Sequence, residues 1–181
     1  MCTGGERNLE NKDRLAVWID LYTKRLVRIA YTYVRDWTAA EDMVQNAFIK
    51  AYRSMDTLLK PDPFPWLVQI VINECKQAKR KHWREVITNL FQERQDDSAE
   101  KSYFNRSDLS ELHEAVLALP SRYSAPIVLY YFEELPIADI ASALNTNVGT
   151  IKTRLKRGRE QLRLRMKEDR YGGQSQAFQN V

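Results

Sequence analysis

Side chains able to bind duplex nucleic acid are concentrated in residues 148–157. In this segment Val148, Ile151 and Leu155 recur at three- and four-residue spacings, which predicts a helix with one apolar face. The other face carries hydroxyl, ammonium and guanidinium donors, the groups that reach base edges and phosphates. These side chains are Thr150, Lys152, Thr153, Lys156 and Arg157. An ordinary helical hairpin with a basic outer face is the alternative interpretation.

Aromatic residues and cations alternate in residues 64–84, a pattern that suits unpaired nucleotides. Rings stack on exposed bases while cations hold the backbone, and a polar side chain such as Asn73 could read a base turned out of the helix. For Trp66 a place in the core is the simpler interpretation, and for Trp83 core and surface are equally open. The candidate single-strand contacts are Phe64, Asn73, Lys76, Lys79, Arg80, Lys81, Trp83 and Arg84.

The distribution of charge supports two separate contacts with a polyanion. The 181-residue chain has 28 basic and 24 acidic residues, a net charge of +4. Residues 76–84 include five basic residues and no acidic one, and residues 152–170 include nine basic and three acidic residues. Residues 89–114, between them, include three basic and seven acidic residues. Two basic surfaces on one small chain favour two contacts with a long polyanion, although each block alone could equally be a solvated helix face.

Helical periodicity predicts the elements that lead into the aromatic and basic cluster. Apolar residues recur at helical spacing over residues 15–33 and again over residues 43–55. Thr38 and Glu41 have the spacing of a capping box at the start of the second helix. Three prolines within five residues must end that helix, and a third helix is expected to start near Pro65.

A helix-turn-helix pattern spans residues 136–158. Its first helix starts at Pro136 and has the small Ala141 where two helices must cross closely. Asn145 tolerates the left-handed backbone that the turn needs, and Asn147 can cap the second helix. In this motif the second helix enters the major groove of DNA by its N-terminal end.

The fold class that follows is all-α, because no stretch alternates strongly enough to predict a strand. We expect two small helical domains, residues 10–90 and residues 107–170, with one helix of the second domain over residues 121–133. Residues 92–102 are acidic and polar without an apolar face, and residues 91–106 are therefore expected to form a flexible acidic linker. Residues 171–181 are expected to form a disordered tail.

The signals of other protein classes are weak in this sequence. Cys2 and Cys75 are too few for a disulfide framework and favour a reducing cytoplasm. No run approaches the roughly 20 apolar residues that span a bilayer, and residues 1–13 lack the hydrophobic run of a signal peptide. His82 and His113 have no partners at metal-ligand spacing, and no glycine-rich phosphate loop occurs. The sequence therefore predicts a cytoplasmic protein that is not an enzyme and uses no metal or cofactor.

Taken in series, these motifs resemble the extracytoplasmic-function (ECF) group of bacterial sigma factors, the minimal sigma-70-type proteins. Residues 21–84 resemble region 2 of the family and residues 112–165 resemble region 4, in the family's order and with an acidic linker between them. The region 2 marks are Asp36, Ala39-Ala40-Glu41-Asp42, Val44-Gln45-Asn46-Ala47-Phe48, Trp66-Leu67, Ile70, Asn73 and Arg80-Lys81. The region 4 marks are Leu119-Pro120, Tyr130-Tyr131, Ile140-Ala141, Leu144 and residues 149–155.

The resemblance implies a factor that binds core RNA polymerase, directs it to promoters and helps to open the duplex. The helix over residues 38–55 would dock on the polymerase clamp, and its implied contacts are Asp42, Gln45, Asn46 and Phe48. The single-strand set, with the loop of residues 60–64, would bind the melted −10 element. The donors of residues 148–157 would read the −35 element as duplex. The family also implies an anti-sigma factor as a partner, often a membrane-anchored one.

Three positions depart from the family pattern, and one alternative function stays open. Asn46 and Asp139 replace a usual Glu, and Gly158 replaces a common Ala, which should weaken its helix by about 0.5–1 kcal/mol. The alternative is a helix-turn-helix regulator that binds duplex DNA without polymerase or melting, with residues 10–90 as a dimerisation or sensor domain. The cluster in residues 64–84 argues against it, because a sensor domain has no need of that surface.

Overall fold

The computed structural model describes residues 4–58, 61–88 and 111–175. Throughout these residues the regular elements are helical, in agreement with the predicted all-α class. The chain divides into two compact units, Met1–Phe104 and Asn105–Val181. The predicted linker of residues 91–106 lies outside the described residues.

The first unit packs three helices against one another. They are α1 (Gly4–Val34), α2 (Trp37–Arg53) and α3 (Phe64–Thr88), with a short 3-10 turn at Met55–Thr57. Each helix contributes fully buried aliphatic side chains to a shared core. At the edge of that core the Lys50 ammonium of α2 donates to the Glu74 carboxylate of α3 at 2.6 Å. The core residues include Leu26, Ile29, Val44, Leu67, Val71 and Ile72.

The start of α2 corrects one prediction. Arg35 adopts a left-handed backbone with φ 63°, and Asp36 is the N-cap, accepting a hydrogen bond from the backbone N–H of Ala39 at 2.6 Å. The predicted capping box at Thr38 and Glu41 is therefore wrong. Thr38 lies inside the first turn, because Asp36 already supplies the acceptor that the first free N–H groups require.

The thiol of Cys75 is part of this core and not a candidate nucleophile. Its side chain is fully buried on α3, and Sγ lies 4.0 Å from the carbonyl oxygen of Ala30 on α1. Burial raises the pKa of this thiol from 9.0 to about 12. The folded state therefore keeps the thiol proton at a pH where the unfolded chain has lost it.

The raised pKa of Cys75 predicts a pH dependence of stability. As the pH rises from 9.0 towards about 12, only the unfolded thiol ionises, so the free energy of unfolding should fall with pH. One group contributes at most about 1.4 kcal/mol per pH unit. All four tryptophans lie within residues 18–83, so urea unfolding followed by tryptophan fluorescence reports on this unit. The Cys75→Ala variant should show a shallower decline above pH 9, and parallel curves for the two proteins would contradict the assignment.

The second unit contains the helix-turn-helix. Its elements are α4 (Glu111–Leu117), α5 (Ser121–Ile127) with a π-helical turn at Val128–Phe132, α6 (Ile137–Ala143) and α7 (Val148–Ser175). The single helix predicted over residues 121–133 is thus α5 and a wider turn. Pro126 lies inside α5 and has no N–H to donate, and beyond it the register widens, with the Glu133 N–H bonded to the Val128 carbonyl at 3.1 Å.

Helix α7 also extends further than predicted. It continues to Ser175, so five residues of the predicted disordered tail are helical. The periodic apolar face ends earlier than the helix does, which is why the pattern placed the boundary at residue 170. Residues 176–181 lie outside the described residues.

Gly158 lies at the contact between α5 and α7. The residue is buried, and a β-carbon at this position would lie 2.7 Å from Cδ1 of Ile127 and 3.4 Å from Cβ of Tyr123. Alanine would therefore gain helix propensity but displace the buried Ile127 side chain. The departure from the family's usual Ala follows from this packing.

Gly158→Ala should destabilise the second unit by about 1 kcal/mol, because overpacking outweighs the gain in propensity. In an Ile127→Val background, which removes the Cδ1 methyl, the same substitution should become neutral or stabilising. Hydrogen exchange of the α5 and α7 amides measures both effects without interference from the first unit. Equal changes in the two backgrounds would show that the contact with Ile127 does not set the requirement for glycine.

Candidate nucleic-acid and polymerase interfaces

The helix-turn-helix geometry of the second unit confirms the predicted turn. Asn145 has φ 52°, and the Thr146 N–H closes the turn onto the Ala141 carbonyl at 2.9 Å. Asn147 caps α7, since its Oδ1 accepts from the Thr150 N–H at 2.7 Å. Both asparagines therefore have the roles that their chemistry predicts.

The inner face of α7 matches the prediction except at its first residue. Ile151 and Leu155 are buried, as are Ile140 and Ala141 of α6. Val148, predicted on the same face, is 40% exposed. It is the first residue of α7, at the open end of the turn, so fewer neighbours surround it than surround residues one turn further along.

The predicted duplex contacts lie on the outer face of α7. Lys152, Thr153, Lys156 and Arg157 are exposed and Thr150 is half-buried. The Thr153 hydroxyl donates back to the Gly149 carbonyl at 3.0 Å, which fixes its rotamer at the start of the helix. Lys156 and Arg157 therefore place an ammonium and a guanidinium group on this face, about one turn beyond Lys152.

All the predicted single-strand contacts lie on α3, together with Trp66, for which a core position is predicted. Asn73, Lys79 and Arg80 are exposed on α3, and Lys76 is half-buried on the same helix. Trp66 is half-buried and packs edge-on against Trp18, with ring centroids 6.3 Å apart, which supports its interpretation as a core residue. The side chains of Lys81, Trp83 and Arg84 lie outside the described residues.

Among the members of this set whose side chains the structure describes, Phe64 is contradicted. Its side chain is only 3% exposed, and its ring lies 5.1 Å from that of Tyr22. The Arg25 guanidinium covers the ring, with Cζ 3.8 Å from the centroid. The prediction that Phe64 stacks on a base is wrong, because both neighbours from α1 already occupy its surface.

The predicted polymerase contacts lie along α2, where Asp42, Gln45 and Asn46 are exposed on one stripe of the helix. Phe48 is only 7% exposed, yet it lines an apolar groove of about 890 Å³ between α1 and α2. Gln45 lines the same groove.

The sequence interpretation missed the contribution of α1 to this groove. Ile19 belongs to the apolar stripe of residues 15–33, which predicts a core position, yet it is 39% exposed and lines the groove. Ile49 faces it from α2 and is 51% exposed. In the sequence, such a binding surface is indicated when the apolar stripe of a helix is wider than packing against the core requires.

Family comparisons assign both units. A family model described as Sigma-70 region 2 matches residues 18–85, and one described as Sigma-70, region 4 matches residues 109–162. The ECF RNA polymerase sigma factor SigW of Bacillus subtilis is 30% identical over 171 residues, which cover 87% of this chain and 91% of that protein. The RNA polymerase sigma factor SigV of the same organism is 30% identical over 160 residues, covering 87% and 95%.

Solved structures agree with these matches. The sigma factor RpoE from Bartonella quintana, solved in complex with the anti-sigma factor NepR, superposes with a TM-score of 0.67 at 26% identity over 83% of this chain and 95% of that one. CnrH, solved with the cytosolic domain of CnrY, has the same fold, with a TM-score of 0.61 at 18% identity over 91% of this chain and 95% of that one.

The helices that carry the exposed polar and basic faces are thus those of a sigma-70-type transcription initiation factor. Within that class, the chain belongs to the ECF RNA polymerase sigma factors. It binds core RNA polymerase, directs the enzyme to specific promoters and promotes opening of the DNA. The described helices include none that is long and apolar enough to cross a membrane. The described side chains also contain no cluster of His, Cys, Asp and Glu that could hold a metal ion.

Proposed function

We propose that three exposed helix faces divide the work of initiation. In this proposal the outer stripe of α2 binds core polymerase, α3 binds the melted −10 strand and the start of α7 binds the −35 duplex. One observation carries it: most of the described polar side chains of each set are exposed, on a helix whose opposite face is buried in the core of its unit. Because the buried core fixes the position of each helix, the backbone that carries the exposed side chains is already in place before a partner binds.

The polymerase face combines an apolar groove with a polar stripe. The groove takes apolar side chains from a partner helix, while Asp42, Gln45 and Asn46 supply hydrogen-bond partners beside it. Phe48 contributes to the wall of the groove and not to the exposed stripe. Asn46, which replaces the usual Glu of the family, makes this stripe less acidic by one charge.

A matched pair of substitutions tests the polymerase face. Ile49→Glu places a charge in the groove, whereas Val17→Glu places one on a residue of α1 that is equally exposed, at 54% against 51%, but outside the groove. Binding of labelled full-length protein to core polymerase should weaken at least tenfold for Ile49→Glu and stay within twofold for Val17→Glu. Gln45→Ala should give an intermediate loss. Equal affinities for the two Glu variants would remove the groove from the interface.

The −10 face proposed for α3 consists of Asn73 with Lys76, Lys79 and Arg80. The amide is positioned to hydrogen-bond an unpaired base, and the cations follow it at one-turn intervals, which suits a strand that runs along the helix. Lys81, Trp83 and Arg84 remain predicted members of this face. Unpairing costs a few kcal/mol, which these contacts must offset.

Separate domains explain why polymerase is needed. We assign region 2 to residues 10–90 and region 4 to residues 107–170, and the two matched segments fall inside these bounds. A tether cannot hold two DNA-binding domains at a fixed promoter spacing, so the protein alone should bind promoters poorly. We further place the protein in the cytoplasm, without enzymatic activity of its own.

An anti-sigma factor is the third partner that we propose. The relative of known structure from Bartonella quintana was solved with such a factor. The partner would occupy the faces of α2 or α7 that polymerase and promoter need, because both are exposed in this chain. Co-purification of the tagged protein from its host, followed by mass spectrometry, identifies that partner. Loss of the partner when core polymerase is added in excess would show that the two compete.

Transcription with core polymerase tests the whole proposal. The protein is mixed with bacterial core polymerase and genomic DNA fragments, and the 5′ ends of the transcripts are sequenced. We expect new start sites that share two upstream sequence elements at one spacing. A helix-turn-helix regulator would bind fragments but yield no transcript with core polymerase alone, and that result would contradict the proposal.

A further inference from the structure

An ion pair joins α2 to α3 at the edge of the proposed −10 face. The Lys50 ammonium lies 2.6 Å from Oε1 of Glu74. The side chain of Lys50 is 48% exposed, whereas that of Glu74 is only 11% exposed. The ammonium is therefore the close partner of a carboxylate that has little access to water.

The contribution of this pair to folding is small. A pair with one partner half in water gains little Coulomb energy, and the ordering of a long side chain offsets that gain. Both helices are already held by fully buried aliphatic residues, among them Val44 of α2 and Val71 of α3. The larger consequence is electrostatic, because without Lys50 a nearly buried carboxylate would carry an uncompensated charge.

The uncompensated charge would lie next to the residue proposed to hold an unpaired base. Glu74 directly follows Asn73, so its carboxylate lies about 100° around the helix from the amide, on the side towards α2. A strand held at Asn73 brings its phosphates to within roughly 10 Å of this carboxylate, about one Debye length at physiological salt. Over that distance an unpaired carboxylate repels the strand.

We propose that Lys50 is a positioning residue of the −10 site, which neutralises Glu74 and so keeps a repelling charge away from the melted strand. The inference rests on the −10 role proposed for α3. Lys50 acts through Glu74, which holds its ammonium, and it reads no base. The sequence did not indicate this role, because positions 50 and 74 lie on different helices and outside the basic block of residues 76–84.

DNA opening by the polymerase complex tests the role of Lys50. Full-length protein and saturating core polymerase are bound to a promoter recovered from the transcription experiment, with 2-aminopurine in the −10 element to report opening. Lys50→Met removes the charge but keeps a long side chain, and it should lower the opening equilibrium about three- to tenfold. The defect should shrink as the salt concentration rises, since salt screens the repulsion. Lys50→Arg, which keeps the charge, should stay within twofold of the wild type.

Removal of the carboxylate separates neutralisation from a direct contact of Lys50 with DNA or polymerase. Glu74→Gln should open DNA within twofold of the wild type, and so should the double variant Lys50→Met with Glu74→Gln, because neither contains an unpaired carboxylate. Lys12→Met is the control, an equal loss of charge on an exposed residue of α1, and it should open DNA normally.

Two results would overturn the inference: no loss of opening in Lys50→Met, or a loss that is as large in the double variant as in Lys50→Met. The −10 role of α3 would survive either result if Asn73→Ala still impairs opening. Normal opening by Asn73→Ala would instead overturn the role of α3, and this inference with it.

Discussion

Substitution of both Lys156 and Arg157 by alanine is expected to weaken promoter binding by the polymerase complex about 30-fold at 0.15 M salt. Each residue is exposed on the outer face of α7, one turn beyond Lys152. If each neutralises one phosphate, the double variant loses two released counterions, and the salt slope should fall by roughly 1.8. The single variants should each lose about fivefold.

The control for this prediction is Lys12→Ala, which changes net charge without touching α7. Its affinity and slope should match those of the wild type, because Lys12 is outside the proposed DNA contacts and an exposed charge that neutralises no phosphate releases no counterion on binding. A slope that stays constant in the double variant would remove Lys156 and Arg157 from the interface. A loss in affinity confined to one promoter sequence would instead show that they read bases.

Substitution of Asn73 by alanine is expected to impair DNA opening by about ten- to a hundredfold while leaving upstream binding within twofold. The amide is exposed on α3, where it can bond a base turned out of the duplex. Loss of this hydrogen bond leaves a base edge without its partner, which costs roughly 1–3 kcal/mol. Fluorescence of 2-aminopurine in the −10 element measures opening, and a footprint over the −35 element measures upstream binding.

Gln77→Ala provides the comparison for Asn73, since Gln77 is an exposed amide one turn further along the same helix. Its effect on opening should remain below threefold, because it is not part of the proposed set. On a duplex already mismatched in the −10 element, the defect of Asn73→Ala should shrink but persist, since the base contact is still missing. Equal losses of opening and of upstream binding would contradict the flipped-base role.

Features encoded by neighbouring residues were predictable from the sequence. The turn of the helix-turn-helix depends on Asn145 and Asn147, whose conformational and capping preferences are local. The buried faces of α6 and α7 follow from apolar spacing alone. The all-α class and the presence of two units follow from the same periodicity.

Features set by distant residues were not predictable. Phe64 looks like a stacking residue beside a basic run, but Tyr22 and Arg25, some forty positions earlier, cover its ring. The need for glycine at position 158 comes from Ile127 on another helix. Asp36 and Thr38 are both residue types that cap helices well, and their spacing in the sequence does not show which of them is the N-cap. In the structure the N-cap is Asp36.

A cleft of the second unit that is lined by Arg122, Arg154 and Arg157 belongs to the same category. Its members come from two helices and from positions more than thirty residues apart. Arg154 and Arg157 lie in a basic block that the sequence shows, but the partner on α5 stands alone in the chain. The packing of α5 on α7 brings the three guanidinium groups to one cavity.

In the proposed function, α3 holds unpaired DNA while α7 holds duplex in the same polymerase complex. A photo-crosslinker placed at residue 73 or at residue 156 tests it directly, with permanganate used to mark unpaired thymines. The crosslink from residue 73 should fall among permanganate-reactive positions, and the crosslink from residue 156 should fall upstream in unreactive duplex. Crosslinks from both residues to duplex alone, with no reactive thymines, would contradict it.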